Sequence, residues 1–330
     1  MTTVAEVAAQ IAAARRLLVL AHVAPDADSL GSALAMALAA REIEPATHVV
    51  VSFGDEPFAV PRMLQSLPVS GLLASPAEAA AAGPYDLVVT CDVSSKQRLG
   101  ANEHLFDAAA ATVVIDHHAS NPGFGQMNLI DPAAPANTVL ALAVIDALGA
   151  PLTRDIAHAL YAGLITDTGC FKYSATTPAT HETAARLMAA GIDHADIARR
   201  MYDDEPFAAV QMLGEALGRA ALDVTALGGR GMVWTAVSAE DRSHLGLSED
   251  AAERVIDALR ITTEADVAVV LKQSDDLVWK VSLRSKGAVD VSEAARVLGG
   301  GGHRFAAGAT LGTDVALALA DVRSALASLE

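Results

Sequence analysis

In the first half of the chain, short apolar runs at residues 17–21, 49–53, 87–91 and 112–115 alternate with Ala- and Leu-rich segments at 4–14, 30–41 and 138–148. Apolar runs this short read as buried strands, whereas apolar residues recurring every three or four positions read as helices. Strands that alternate with helices pack into a largely parallel sheet covered by helices, so the expected fold class is α/β. One run invites a different reading, because Arg15 and Arg16 precede residues 17–20 much as basic residues precede the core of a secretory leader. That apolar core is too short for a leader and leads straight into His22, Pro25 and Asp26, so a buried strand is expected there as well.

Residues 180–222 read as helical and comparatively polar, with helices at 193–202 and 207–222. Beyond them come strand-like residues 231–237, a helix at 251–260, strands at 265–272 and 277–284, and a last helix at 315–326, which together suggest a smaller α+β domain. The four glycines Gly299 to Gly302 mark a tight loop within it. A length of 330 residues suits two domains, and the expected divisions are 1–190, a helical connector over 191–224, and 225–330. No apolar run approaches the roughly 18 residues of a membrane span, since Asp146 interrupts even the stretch 138–148. Cys91 and Cys170 are too few for a disulfide framework and fit neither zinc-ligand spacing nor a paired redox motif, which makes the cytoplasm the expected compartment.

Forty acidic against 23 basic residues give a net charge of −17, which excludes a general binder of long duplex nucleic acid. A local exception lies between residues 280 and 304, where Lys280, Arg284, Lys286, Arg296 and Arg304 face only Asp290 and Glu293. That stretch is expected to receive an anion.

Residues able to ligate metal sit where the strands end. His22, Asp26 and Asp28 follow the first run around Pro25, and offer imidazole and carboxylate groups suited to Mn²⁺ or related divalent ions. Taken alone, Asp26 to Ser29 reads equally well as an Asx turn capping the next helix. Asp92 ends the third run and Asp116-His117-His118 ends the fourth; each alone is an ordinary turn residue or a solvated pair. Their recurrence at the carboxyl ends of different strands is what carries weight, because open α/β sheets assemble active sites along that edge. Asp167 follows a helix-like apolar run at 156–164 and by itself could simply end that helix.

In this order, His22, Asp26, Asp28, Asp92, Asp116-His117-His118 and Asp167 resemble the four motifs of the DHH phosphoesterase superfamily. Gly299 to Gly302, followed by His303 and Arg304 and preceded by Lys280 to Lys286, is similar to the DHH-associated substrate-binding domain, so the resemblance covers nearly the whole chain. The length and this ending resemble the bacterial NrnA-type branch. That branch is associated with hydrolysis of short oligoribonucleotides, cyclic-dinucleotide-related substrates and 3′-phosphoadenosine 5′-phosphate. The resemblance implies a DHH catalytic domain over 1–190 and a DHH-associated domain over 225–330.

It further implies two divalent ions, Mn²⁺ being preferred, one on His22, Asp26 and bridging Asp92, the other on Asp28, Asp92, His117 and Asp167. Water activated by the ion pair would attack phosphorus directly, with no covalent nucleophile. Asp92 and His118 are the implied catalytic residues, His118 contacting the reacting phosphate, and Asp116 would orient a ligand without binding metal. Four carboxylates neutralise two divalent ions, so further phosphate charge calls for Arg98, Arg284, His303 and Arg304, with Gly301 and Gly302 lending backbone N–H groups. For Arg98 an ordinary surface arginine is the equal alternative.

The rival readings are a manganese-dependent inorganic pyrophosphatase and a catalytically silent nucleotide-binding regulator. A haloacid-dehalogenase-like phosphatase ranks lower, because Asp26 follows a His-x-x-Pro loop and the His117-His118 pair would go unexplained. A RecJ-like processive exonuclease also ranks lower, since a compact acidic chain leaves little room for a long-strand module. The expected partners are short nucleotides, with no membrane partner; the oligomeric state stays open, a homodimer included.

Overall fold

The computed structural model describes residues 2–69 and 71–329. The chain divides into two compact units, Met1–Asp204 and Glu205–Glu330, and the division falls inside the segment 191–224.

The first unit is built on five strands, β1 (Arg16–Ala21), β2 (His48–Phe53), β3 (Leu87–Cys91), β4 (Ala111–Asp116) and β5 (Met127–Ile130), in the order β2-β1-β3-β4-β5. Every pairing is parallel. Around the sheet lie α1 (Val4–Ala13), α2 (Ala27–Ile43), α3 (Pro76–Ala82), α4 (Glu103–Ala108), α5 (Asn137–Leu148), α6 (Arg154–Asp167), α7 (Pro178–Ala189) and α8 (His194–Tyr202). The two-residue period of β1 shows why its run is apolar throughout: Leu17, Val19 and Ala21 enter a core with α2, α5 and α6, while Leu18 and Leu20 enter another with Tyr85 and Phe106. Because β1 lies between β2 and β3, the strand order reverses there. The crevice beyond the carboxyl ends of β1 and β3 is therefore the topological switch point where ligands of such sheets bind.

Helix α2 and strand β5 differ from the sequence reading. Helix α2 starts at Ala27, three residues early, because Asp26 caps it, and this moves Asp28 from the loop into the first helical turn. Strand β5 carried no apolar signal, since it is a four-residue edge strand and only half-buried. Gly163 brings the helices together: a Cβ there would lie 2.8 Å from Asp28 Cα and 2.6 Å from Thr138 Cγ2. Without a side chain at that point, α6 reaches the N-terminal turns of α2 and α5 and ends four residues on at Asp167.

The second unit contains α9 (Phe207–Gly218) and strands β6 (Ala221–Asp223), β7 (Met232–Val237), β8 (Val267–Gln273), β9 (Trp279–Ser285), β10 (Gly301–His303) and β11 (Ala306–Thr310). They form a mixed sheet in the order β10-β11-β9-β8-β7-β6, parallel only between β7 and β8. Alternate residues of β8 serve two cores: Val267, Val269 and Leu271 pack with the helices Val291–Val297 and Val315–Ala327, and Ala268 and Val270 with α9 and the helix Arg254–Leu259.

The helix expected over 207–222 stops at Gly218, and β6 takes up its last residues. The helix expected over 251–260 is a 3₁₀ turn up to Glu253 and α-helical only over Arg254–Leu259. The reading of Gly299 to Gly302 as a tight loop is corrected as well. Gly301 and Gly302 belong to edge strand β10, and a Cβ on Gly302, with φ +137°, would lie 2.6 Å from Ala306 O. Glycine is needed there for close approach of paired strands. Among the described residues no helix is long and apolar enough to cross a membrane.

Candidate metal centre

His22 leaves the end of β1 with Nδ1 2.8 Å from Val23 O, an arrangement that turns Nε2 toward Asp26 Oδ2 at 3.5 Å and Asp92 Oδ2 at 3.6 Å. Asp26 caps α2 with one oxygen, Oδ1 accepting from Ser29 N at 2.9 Å, while its other oxygen faces His22. Capping therefore engages one oxygen of this residue and leaves the other facing the His22 ring.

Asp28 is buried, and the N-terminus of α5 holds its carboxylate: Asn137 N donates to Oδ2 at 2.6 Å and Thr138 N to Oδ1 at 2.9 Å. Two orphan amides of α5 are satisfied this way, and the positive end of the helix stabilises the negative charge.

Asp92 follows β3 in a left-handed conformation, φ +60°, which costs a non-glycine residue on the order of 1–3 kcal/mol. Its N–H donates to Ile115 O at 2.9 Å, tying the residue to β4. Its two oxygens face different histidines, Oδ2 toward His22 Nε2 at 3.6 Å and Oδ1 toward His117 Nε2 at 3.3 Å. Oδ1 is buried and accepts no hydrogen bond from the described residues. A buried acceptor in that state calls for an electropositive partner.

His117 is oriented by Nδ1 lying 3.1 Å from Ala134 O, and its Nε2 also lies 3.8 Å from Asp28 Oδ2 and 3.5 Å from Asp167 Oδ2. Groups of candidate ligand atoms lying within 4.8 Å of one another include His22, Asp26 and Asp92, then Asp28, His117 and Asp167, and also Asp92, Asp116 and His118. All are nitrogen or carboxylate oxygen. The nearby Cys91 thiol is buried and pushed far up by burial and then by Asp92, so no thiolate enters the set. This hard-to-borderline donor set fits Mn²⁺, Mg²⁺ and their neighbours better than soft ions.

The His118 ring is held by Asp116, with Nδ1 2.8 Å from Oδ1. Asp116 is fully buried; Oδ1 also accepts from His117 N at 2.9 Å, and Oδ2 accepts from Asn121 Nδ2 at 2.6 Å. With both oxygens engaged by donors, Asp116 acts on the orientation of the two histidines. Asn121 was missed from sequence. It also donates to Val93 O at 2.9 Å and accepts from Gly123 N at 2.8 Å, so it joins the loop after β4 to the loop after β3. A polar residue a few positions past a histidine pair gave no sign of that bridge.

Crowding four carboxylates and two imidazoles shifts their titration. Burial, the largest single influence, disfavours the charged His22 ring, but the charge of Asp26 and hydrogen bonding to Asp26 and Asp92 outweigh it and raise the pKa to about 9. Burial likewise opposes charge on His117, and Asp92 and Asp167 override it, raising the value to about 11. Asp28 is pushed up to about 7 by burial and then by the Asp92 charge, and Asp167 well up by burial and then by Asp28. Asp92 itself lies well below the usual carboxylate range, because the close approach of the His117, His22 and His118 rings outweighs its burial. Positive charge is what the cluster lacks.

Arg98 is exposed on the segment after β3, where its Nη2 donates to Val23 O at 3.3 Å and its carbonyl accepts from Val23 N at 2.8 Å. Its visible role is to hold the loop that carries His22. In the second unit, Arg284 on β9 is paired with Ala306 on β11, which is paired with His303 on β10. Residues directly opposite across strands share a face, so Arg284 and His303 flank the small Ala306 on one side of the sheet.

Residues 16–164 match the DHH family, N-terminal domain, and residues 229–328 match the DHHA1 domain. The bifunctional oligoribonuclease and PAP phosphatase NrnA of Thermus thermophilus is 32% identical over 290 residues, covering 88% of this chain and 82% of that protein. A crystal structure of an exopolyphosphatase-related protein from Bacteroides fragilis matches with a TM-score of 0.85 at 21% identity, covering 98% of this chain and 95% of that one. RecJ of Thermus thermophilus, crystallised in complex with Mn²⁺, matches with a TM-score of 0.54 at 17% identity over 99% of this chain and 55% of its own.

Proposed function

This chain belongs to the DHH family of phosphoesterases, and on that premise we propose that it hydrolyses short nucleotides with two divalent cations, Mn²⁺ preferred. The substrates are short oligoribonucleotides, linear or cyclic dinucleotides, and 3′-phosphoadenosine 5′-phosphate. His22, Asp26 and Asp92 would hold one ion, and Asp28, Asp92, His117 and Asp167 the other. The observation that carries this reading is the division of Asp92, each of whose oxygens faces a different histidine. When bound, such a pair of ions supplies Lewis acidity at phosphorus and water activated near neutral pH.

The chain's own residues do the rest. His22 and His117 each engage a backbone carbonyl through Nδ1, which fixes the ring and directs Nε2 inward. Asp116 fixes His118 in the same way, so that Nε2 is the nitrogen to meet the reacting phosphate. Direct attack needs no nucleophile from the protein, and none is assigned. Arg284, His303, Arg304 and the backbone of Gly301 and Gly302 recognise further phosphate groups, and Arg98 adds to its loop-holding role a charge beside His22.

The test compares turnover of a dinucleotide, a cyclic dinucleotide, 3′-phosphoadenosine 5′-phosphate, pyrophosphate and a long RNA at equal ionic strength, with chelator and with Mn²⁺ restored. Chelation is expected to abolish hydrolysis and Mn²⁺ to restore it, with short nucleotides fastest. Fastest turnover of pyrophosphate overturns the nucleotide assignment. Equal or better degradation of the long RNA overturns the short-substrate assignment, and a trapped phospho-aspartate overturns direct attack.

A further inference from the structure

Strands β10 and β11 form a hairpin in which His303 pairs with Ala306, so Arg304 and Phe305 are its two-residue tip. Tips of this length are usually made by Asn, Asp or Gly. An aromatic residue serves neither the turn nor the core here: Phe305 is 37% exposed and lies outside the buried cluster formed by β8, β9 and β11.

The tip is nevertheless held firmly. Arg304 O accepts from Val291 N at 3.0 Å, at the start of the helix Val291–Val297, and Phe305 O accepts from Ser285 N at 3.0 Å, at the end of β9. One edge of the Phe305 ring lies 3.7 Å from where a Cβ of Gly287 would be, and the Arg304 guanidinium carbon lies 5.7 Å from the ring centroid. Arg304 Nη2 in turn donates to Gly287 O at 3.5 Å. An exposed aromatic ring is thus kept in place by backbone bonds, with a cation beside it and Arg284 and His303 on the adjoining strand ends.

We propose that Phe305, with the guanidinium of Arg304, is a platform on which a nucleobase of the substrate stacks. Purines and pyrimidines gain from stacking on aromatic rings and on guanidinium planes whatever their sequence, whereas a bare phosphate or pyrophosphate gains nothing from a phenyl ring. Placed beside the candidate phosphate-recognising residues, the platform selects phosphorylated ligands that carry a base. The inference rests on the short-nucleotide reading and names the part of the substrate that reading leaves open.

The test uses the full chain and its Phe305→Ala and Phe305→Trp variants. Binding of adenosine 5′-monophosphate and of ribose 5-phosphate is measured by calorimetry, together with KM for a dinucleotide and Mn²⁺ content. Wild type is expected to prefer adenosine 5′-monophosphate about tenfold; Phe305→Ala abolishes the preference and raises the dinucleotide KM about tenfold, and Phe305→Trp restores both. Ribose 5-phosphate affinity, Mn²⁺ content and Tm stay at wild-type values in all three proteins. An unchanged preference and KM in Phe305→Ala overturns the platform, as does equal wild-type affinity for the two ligands. Failure of the short-nucleotide reading registers separately, as wild-type hydrolysis of pyrophosphate in preference to dinucleotides.

Discussion

The strand ends of the first unit and the hairpin edge of the second both gather charge, but they hold it in opposite ways. In the first unit the ligand-capable side chains are clamped by backbone: Asp28 by two α5 amides, Asp26 by the amide of Ser29, His22 and His117 by carbonyls. In the second, the Arg284 guanidinium donates to its neighbour's carbonyl at Leu283, and that of Arg304 to Gly287 O at 3.5 Å. Concentrated like charge is costly to assemble, so the backbone must hold it in position beforehand. Exposed cations on a sheet edge stay solvated, so the fold spends less on fixing them.

The contrast is tested most severely at Asp92. Asp92→Ala should lower activity about a thousandfold or more, beyond the ~10–100-fold typical of an outer-shell partner, and metal content should fall with it. Metal analysis and steady-state rates on the folded variant check this; two tightly retained ions with near-normal turnover would contradict the sharing of Asp92 between the two groups. Asn121→Ala should cost about 10–100-fold in turnover through the loosening of Asp116 and His118, with Mn²⁺ content close to wild type. Loss of metal in step with activity would show that Asn121 supports the ligands themselves.

In the second unit, Arg284→Ala or His303→Ala should weaken nucleotide turnover about tenfold, as expected for one charge-assisted hydrogen bond, while leaving metal occupancy intact. Kinetics paired with metal analysis separate the units, and metal loss in either variant would break the contrast.

The smallest effect is one of stability. Asp28 is raised to about 7 and His22 to about 9, so from its ordinary value up to its raised one each group holds its proton in the folded chain without metal but not in the unfolded chain, and stability falls as pH rises through both windows. Thermal melts in chelator should give a lower Tm at about pH 8.5 than at about pH 6, and Mn²⁺ should raise Tm more at the higher pH, where fewer protons need be displaced. An equal Mn²⁺ effect at both pH values would mean that these groups are not the ones the metal meets.

Much of the first unit was legible because its signals are local. The run at 17–21 had to be a strand buried on both faces, and a strand's end fixes where His22, Asp92 and Asp116 emerge. Glycine signals were less legible. Gly301 and Gly302 read as a turn, yet the pairing partner 306–308 turned them into an edge strand, and glycine's usefulness in both settings makes its sequence signal ambiguous.

By itself, the sequence determined which residue types stand at which strand ends, and so the α/β class and the supply of carboxylates and imidazoles along one edge, because apolar periodicity and turn residues act over a few positions. Only the tertiary structure decided which atoms meet. The strand order put the ends of β1 and β3 side by side, the side-chain-free surface at Gly163 let α6 bring Asp167 to His117, and Asp28 accepted from the first amides of α5, 109 residues away. Asn121 became the tie between two loops, and Phe305 a ring held in the open. Contacts between distant segments depend on packing and register, and no local pattern encodes them.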